Sequence, residues 1–223
     1  MATDESGSAG LDFERLYAYR FKDVDQAGRE KVWGEIARFA FERMGRPRVV
    51  LDPAAGRGEF INAVPAEERW GIDLVEQAAW APEVRRLTGD ALRVELPVGT
   101  FDGVFVSNFL EHLPTQEVVA QFLGRMRTAM APTATIAIMG PNFKYCPKEY
   151  FDCADHVLAL THVSVEEHLA AAGFTGIRVV PRLLPYSFRG VLPPSARLTK
   201  AYLRFPPAWR LLGKQFFITA RRG

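Results

Sequence analysis

Short apolar runs alternate with helical segments along most of this chain, and this alternation restricts the fold more than any other feature. A β-α-β rhythm of this kind is typical of a mainly parallel sheet with helices on both faces. The predicted strands are 48–52, 69–73, 102–107, 134–139, 176–182 and 215–220, with a weaker one ending near Leu87, and the predicted helices are 57–64, 75–80, 115–130 and 164–172.

The domain organisation follows from the chain length and from two interruptions of the rhythm. The 223 residues are enough for one sizeable domain. We expect residues 1–10 to be disordered and 11–46 to form a helical lid. Long segments without regular structure usually have a role in a compact domain. We therefore predict substrate-side insertions at 141–163 and 185–213 within a single domain spanning 11–223.

Composition and charge narrow the classes of protein that fit. Apolar residues make up 48% of the chain, which favours a full core, and a net charge of +2 gives little attraction to nucleic acid or anionic membranes. No apolar stretch approaches the ~20 residues of a membrane span, and the N-terminus lacks a signal-peptide pattern. Cys146 and Cys153 match neither a disulfide framework nor a zinc spacing. These observations predict a cytoplasmic protein without stable membrane insertion.

The first predicted strand ends on an acid, Asp52, and small residues follow at 54–58. A strand, a tight turn and a helix can hold a nucleotide-like ligand, because the backbone N–H groups of the turn approach it closely. The turn does not match the G-x-G-x-x-G pattern of dinucleotide sites, since position 54 is Ala and position 61 is Ile. A carboxylate here would repel a pyrophosphate but suits a ligand with an ammonium or sulfonium group.

Further polar residues stand where the next strands should end. Asp73 follows Asp52 at the spacing typical of an acid that binds ribose hydroxyls. Asp90, beside Ala91, could accept a hydrogen bond from an adenine amino group, and another strand breaks at Asn108. Parallel strands bring their carboxyl ends to one ligand-binding edge. A Rossmann-like domain that binds another nucleotide, or none, is the alternative.

The ordered stretches LDPAAGRGEF, GIDL, GDA, FDGVFVSNFLEHL and IAIMGPN resemble the class I S-adenosylmethionine-dependent methyltransferases over roughly residues 17–221. PNFKY, YFDCADH, LTHVS and PPAWRLLGKQFF are similar to a bacterial subgroup associated with glycan or natural-product biosynthesis. The resemblance implies a seven-stranded, mostly parallel Rossmann-like sheet with an antiparallel last strand, and S-adenosyl-L-methionine as cofactor. Ala54 is a departure, since the family usually has Gly there. The implied cofactor-binding residues are Asp52, Ala54, Gly56, Gly58, Asp73, Leu74, Asp90, Ala91, Asn108 and Phe109.

Methyl transfer from a sulfonium needs a positioned acceptor and, for a hydroxyl, a base. His156 follows Asp155 and is the first candidate for a carboxylate-tuned base. His112 is the second, although it could instead orient the loop that contains it. His162 and His168 have weaker cases, because they belong to the next predicted helix or its entry.

The predicted substrate-binding residues are Arg20, Asn142, Tyr145 and Asp155. Tyr17 and Tyr19 could also reach the donor or the acceptor, and simple lid packing is the alternative for these two aromatics. Loop capping is the alternative for Asn142 and Tyr145. We predict no metal site, because Glu111, His112, Asp155 and His156 lack a recognised ligand spacing. The basic, aromatic stretch 200–214 fits packing on the sheet or on a second subunit better than contact with a membrane.

The sequence thus predicts methyl transfer to a hydroxyl or amine of a small sugar-like or natural-product acceptor. A nucleic-acid methyltransferase would need a basic face or a recognition domain, and Ser107-Asn108-Phe109-Leu110 stands where base-amine enzymes have an NPPY-type motif. A protein that binds the cofactor without catalysis is the third alternative. The sequence leaves the choice between monomer and homodimer open.

Overall fold

The computed structural model describes residues 12–75, 79–186 and 194–223. The expected disorder at 1–10, the middle of the predicted helix 75–80 and part of the insertion 185–213 fall outside these residues. The strands are β1 (Val49–Asp52), β2 (Glu68–Asp73), β3 (Val84–Thr88), β4 (Phe101–Ser107), β5 (Met130–Pro141), β6 (Thr175–Val180) and β7 (Gln215–Arg221). The helices are α1 (Phe13–Arg20), α2 (Gln26–Arg43), α3 (Glu59–Ala63), α4 (Gln116–Ala129), α5 (His162–Ala171), α6 (Ala196–Leu203) and α7 (Pro206–Leu212).

All seven strands form one sheet in the order β3-β2-β1-β4-β5-β7-β6. β7 runs antiparallel to both β5 and β6, and the other pairs are parallel. This confirms the predicted Rossmann-like architecture with an antiparallel last strand. The strand order reverses between β1 and β4, so the ligand crevice of an open α/β sheet is expected at their carboxyl ends.

Two apolar layers cover the two faces of the sheet. On one face, α4 buries residues at helical spacing, Val119, Leu123 and Met126 among them, against β4 and β5. On the other face, α2 buries Trp33 and Ile36. Burial of both faces explains why the strands read as short continuous apolar runs rather than as alternating ones.

The predicted helical lid is divided into two helices. Asp25 ends the connection between α1 and α2, because its side chain accepts a hydrogen bond from the Gly28 N–H at 3.0 Å and caps α2. α1 is therefore free to take a different direction from α2, which packs on the sheet. This division allows α1 to reach the loop that follows β5.

Candidate active site

The turn after β1 has the tight geometry expected of a ligand-binding loop. Gly56 and Gly58 have φ angles of 51° and 81°, which favour glycine. Ala54 has no positive φ, so the departure from the family pattern adds no backbone strain. Asp52, at the end of β1, is buried with 3% exposure and accepts a hydrogen bond from the Ala54 N–H at 3.2 Å.

Burial is the main reason why the pKa of Asp52 rises to about 8. The Ala54 N–H opposes this rise, and the negative charges of Asp73 and Glu59 add to it. The carboxyl group is therefore largely neutral at pH 7 without a ligand. A positively charged ligand group beside it would stabilise the ionised form.

Asp73 connects the end of β2 to the same turn. Its Oδ2 accepts a hydrogen bond from the Gly56 N–H at 2.9 Å, and its Oδ1 accepts one from the Val75 N–H at 3.1 Å. The following residue, Leu74, is 62% exposed. The structure thus places the two acidic strand ends, Asp52 and Asp73, on either side of the glycine turn.

Trp80 packs against this turn. The sequence did not identify it as part of the site. Its Nε1–H donates to the Gly56 carbonyl at 2.8 Å. A Cβ atom at Gly58 would lie 2.5 Å from the indole, and one at Gly71 would lie 2.7 Å from it. Both glycines are therefore required by the indole. A lone tryptophan between two strands carries no sequence signal for such a contact.

The other predicted cofactor residues follow β3 and β4. The Asp90 carboxylate accepts a hydrogen bond from the Leu92 N–H at 2.8 Å, while Ala91 is buried in the core. Asn108 has a φ of 47°, and its N–H donates to the Met139 carbonyl at 2.8 Å. This left-handed residue turns the chain out of β4, and the Phe109 ring then packs on α4.

A cleft of about 350 Å³ separates α1 from the turn after β1. Tyr17, Ala18 and Phe21 line it from the α1 side, and Arg57 lines it from the turn. Its volume is within the range of small-molecule sites. The α1 side and the glycine turn therefore line the same open cleft.

Asp155 holds α1 against the loop that follows β5. Both terminal nitrogens of Arg20 donate to its carboxylate, one of them at 3.2 Å, and the Tyr17 hydroxyl donates at 3.3 Å. Burial alone would raise the pKa of Asp155, but the Arg20 hydrogen bonds and the charges of His112 and Arg20 lower it below its usual value. Two predicted substrate-binding residues, Arg20 and Asp155, are thus brought together as an ion pair.

His112 has one ring nitrogen fixed and one available. Its Nδ1 lies 2.8 Å from the Asp155 backbone carbonyl and 3.5 Å from the Asp155 carboxylate. Because a carbonyl oxygen only accepts hydrogen bonds, this contact assigns the proton to Nδ1. Within the described residues Nε2 has no hydrogen-bond partner, so its lone pair is available, and the side chain is 19% exposed.

His156 lies beside His112 in a more enclosed environment. Its side chain is 6% exposed, and its ring packs at 5.2 Å from that of Tyr150 and at 4.9 Å from that of His112. Burial, followed by the charge of His112, lowers its pKa to about 4. His156 is therefore neutral at pH 7 and is less accessible than His112.

Asn142 and Tyr145 have contacts of a structural kind. Asn142 is fully buried, and its side-chain amide nitrogen lies 2.8 Å from the Pro181 carbonyl and 2.9 Å from His162 Nδ1. The Tyr145 ring stacks on His162, with Arg182 over its face. These contacts favour the loop-capping alternative for Asn142 over contact with an acceptor.

Glu111 is a buried acid that sequence reasoning considered only as a metal ligand. It is 2% exposed, burial raises its pKa, and its Oε1 has no hydrogen-bond partner within the described residues. That oxygen lies 4.0 Å from His156 Nε2. Glu111, His112 and His156 bring one potential ligand atom each within 4.8 Å of one another, as do Cys153, Asp155 and His156.

Two comparisons with known proteins found matches to this chain, and a third found none. Residues 51–138 match a family model described as a methyltransferase domain, and no curated protein matches the chain. A solved S-adenosylmethionine-dependent methyltransferase from Archaeoglobus fulgidus is 22% identical with a TM-score of 0.65, and the match covers 94% of this chain and 100% of that one.

Two further solved structures share the fold. The 1,6-didemethyltoxoflavin-N1-methyltransferase of Burkholderia thailandensis, solved with 1,6-didemethyltoxoflavin and S-adenosylhomocysteine, is 20% identical with a TM-score of 0.57, over 94% of this chain and 85% of that one. A Haloferax volcanii putative methyltransferase, solved with the Trm112 activator, is 13% identical with a TM-score of 0.63, over 94% and 96%.

Proposed function

We propose that this protein, whose residues 51–138 match a family model described as a methyltransferase domain, is an S-adenosylmethionine-dependent enzyme that methylates a hydroxyl or amine of a small sugar-like or natural-product acceptor. The proposal of a small acceptor draws support from the solved 1,6-didemethyltoxoflavin-N1-methyltransferase, which has bound both 1,6-didemethyltoxoflavin and S-adenosylhomocysteine. It also fits the cleft of about 350 Å³ beneath α1.

The cofactor would occupy the carboxyl edge of β1, β2, β3 and β4. We assign the positive end of its amino-acid part to Asp52 and the glycine turn, and the ribose hydroxyls to Asp73. The adenine is assigned to Asp90 and Ala91. A carboxylate can accept further hydrogen bonds beyond those that Asp73 already accepts from the backbone. Asn108 and Phe109 would flank the reacting end.

When bound, S-adenosylmethionine supplies a methyl group activated by a sulfonium. The chain's own residues position the acceptor for in-line attack and remove its proton. We assign the proton-accepting role to His112 Nε2, because Nδ1–H is fixed by the Asp155 carbonyl and the nearby carboxylate stabilises the ring when it becomes charged. This single contact carries the proposed mechanism.

His156, the first candidate from the sequence, is better suited to positioning. Its low pKa and its burial against Tyr150 reduce its ability to accept a proton from an acceptor in the cleft. It packs edge-to-face on His112 and so restricts the orientation of that ring. In this proposal the loop that follows β5 contributes the groups that orient His112, and the turn after β4 contributes His112 itself as the base.

The test compares three histidine variants, with S-adenosylhomocysteine release measured across a panel of hydroxyl and amine acceptors. For a hydroxyl acceptor, His112→Gln should lower kcat by about 10²- to 10⁴-fold, without weakening S-adenosylhomocysteine binding in calorimetry. His156→Gln should cause a smaller loss. His168→Gln, on α5 and hydrogen-bonded to Gln116, is the control and should match the wild type.

Two results would contradict the proposal. If the folded wild-type protein gave no heat of binding with S-adenosylhomocysteine, the proposed cofactor site would be refuted. If His156→Gln lost more kcat than His112→Gln, the role of the base would have to be assigned to His156 instead.

A further inference from the structure

The basic residues of this chain are concentrated in its C-terminal part. No Asp or Glu follows Glu167, whereas ten of the 28 Lys and Arg residues do. The net charge of +2 conceals this separation, so the total underestimated the attraction of one region for anionic partners. Charge asymmetry of this kind suggests an interaction with an anionic polymer or surface.

The inner sides of α6 and α7 are fixed to the protein body. Leu203 and Trp209 are buried in the apolar layer that contains α2. The Trp209 ring meets that of Phe39 edge-to-face at 6.0 Å, and its Nε1–H donates to the Tyr202 carbonyl at 2.8 Å. The Tyr202 hydroxyl in turn donates to Leu183. These contacts hold the two helices in place and determine which sides remain outside.

Exposed cationic and apolar side chains lie on α6 and on the two residues that join it to α7, Arg204 and Phe205. Arg197, Lys200 and Arg204 are exposed and follow one another at helical spacing. Leu198 and Phe205, seven residues apart, are 54% and 59% exposed. Within the described part of the chain, none of the three cations forms an ion pair. Their charge is therefore not neutralised by the protein's own acids.

α7 extends this combination. Arg210 is exposed, and the next two residues, Leu211 and Leu212, are 76% and 53% exposed. We call the exposed side chains of both helices the basic–apolar surface; it comprises Arg197, Leu198, Lys200, Arg204, Phe205, Arg210, Leu211 and Leu212. Clustered large apolar side chains on a protein surface mark an interaction site more often than scattered ones do.

We propose that the basic–apolar surface binds the face of a lipid bilayer that contains anionic lipids. Cationic side chains would lie among the headgroups, while the leucines and Phe205 enter the boundary with the acyl chains. Among the described residues, no helix is both long and apolar enough to cross a bilayer. The contact is therefore a peripheral one made by helices that lie on the surface.

Two other partners, a nucleic acid and a second copy of this chain, fit these residues less well. Nucleic-acid binding relies on cations that contact phosphates and gives no reason for four large aliphatic or aromatic side chains in solvent. A second copy joined through the same face would oppose like charges across a two-fold axis. An anionic bilayer satisfies the cations and the apolar side chains together.

The experiment is co-sedimentation of the full chain with vesicles of phosphatidylcholine alone or mixed with phosphatidylglycerol. The protein should pellet with the mixed vesicles, and high salt should weaken this binding. The triple variant Arg197→Glu, Lys200→Glu, Arg204→Glu should reduce partitioning at least about tenfold. The matched control is Arg178→Glu, Arg221→Glu, Arg222→Glu, which makes the same change in charge outside α6 and α7 and should reduce it far less.

A second pair of variants tests the apolar part. Leu198→Ser with Phe205→Ser should also reduce partitioning, whereas Val98→Ser, at a residue that is 72% exposed elsewhere, should not. A thermal melt of each variant without added ligand verifies that it is folded and keeps this test separate from the proposed activity. The proposal is overturned if the wild type ignores mixed vesicles, or if both charge variants lose binding equally. It is also overturned if the serine pair retains full binding, as a purely electrostatic site for nucleic acid would.

Discussion

At the residue scale, burial determines which of the candidate groups can exchange protons. His112 and His156 lie side by side, but the second is enclosed by Tyr150 and has a pKa of about 4. Its neutral form is favoured in the folded protein, where a charged imidazole would lose hydration. The same enclosure that makes it a weak base makes it a source of pH-dependent stability.

We predict that His156 makes the free energy of unfolding fall in mild acid. Its folded pKa lies below the unfolded value of about 6.5, so its contribution is fully present above 6.5 and is lost as the pH falls toward 4. Urea unfolding of the wild type should therefore lose about 2 to 3 kcal/mol more than that of His156→Gln between pH 6.5 and 4.5. Parallel pH curves for the two proteins would contradict this.

The two candidate histidines could be found in the sequence, but the contacts on which we base our proposed ranking could not. DH at 155–156 indicated a carboxylate-tuned base, whereas the Asp155 carboxylate is engaged by Arg20, far away in the chain. The His112 ring instead meets the Asp155 backbone carbonyl, an atom that every residue has. Neither contact leaves a local pattern, because each depends on how α1 and the loop after β5 meet.

At the element scale, the β1 turn depends on a residue from outside its own strand-turn-helix unit. The sequence predicted the turn and its glycines from local spacing, and the structure adds the Trp80 indole beneath Gly56, Gly58 and Gly71. That contact arises because β1 and β2 are neighbours in the sheet. It could not be predicted from the sequence without knowing which strands pair and in what register.

Gly58→Ala should test this packing. The added methyl would lie 2.5 Å from the Trp80 indole, and the φ of 81° is unfavourable for alanine. We expect a loss of about 2 kcal/mol or more in unfolding free energy and a weaker affinity for S-adenosylhomocysteine in calorimetry. Gly124→Ala, inside α4 with open space around it, should stabilise by about 0.5 to 1 kcal/mol. Equal effects of the two substitutions would refute the proposed contact.

The attachment of α1 is a second property of an element. Arg20→Met keeps an unbranched apolar stem but removes the guanidinium and its hydrogen bonds to Asp155. We predict faster amide hydrogen exchange in residues 13–20 and a higher KM for the acceptor, because the lid would close less often. The control is Arg15→Met, on the exposed side of the same helix. Unchanged exchange in Arg20→Met would show that α1 is held by other contacts.

At the scale of the whole molecule, the sheet was the most predictable part. Short apolar runs such as 102–107 bury both faces, and β4 occupies Phe101–Ser107 accordingly. The division of residues 11–46 into two helices was harder to predict from the sequence. Both α1 and α2 have helical patterns, and the Asp25 cap marks where the second helix begins. The candidate cofactor site was proposed from acids at strand ends, and the parallel strand arrangement brings these strand ends to one edge of the sheet.

The stability of the whole protein should be limited by the acid at the centre of this edge. The pKa of Asp52 is about 8 in the folded protein and about 4 in the unfolded chain. Its contribution to stability is fully present below pH 4 and is lost as the pH rises through 8. Asp52→Asn removes this penalty while keeping the size of the side chain, so the variant should exceed the wild type in unfolding free energy at pH 8, by up to about 5 kcal/mol.

The same substitution should weaken the cofactor site, because the asparagine amide cannot balance a ligand's ammonium group. In the wild type, S-adenosylhomocysteine affinity should rise as the pH rises from 6 toward 8, since binding requires the ionised carboxylate and releases its proton. In Asp52→Asn, the affinity should be at least about tenfold lower at pH 8 and nearly independent of pH. Calorimetry in buffers of different ionisation enthalpy measures the released proton directly.

Asp23→Asn, at the exposed turn between α1 and α2, is the control and should alter neither stability nor affinity. If Asp52→Asn were less stable than the wild type at pH 8, or bound the ligand equally well, Asp52 would have to be assigned a purely structural role.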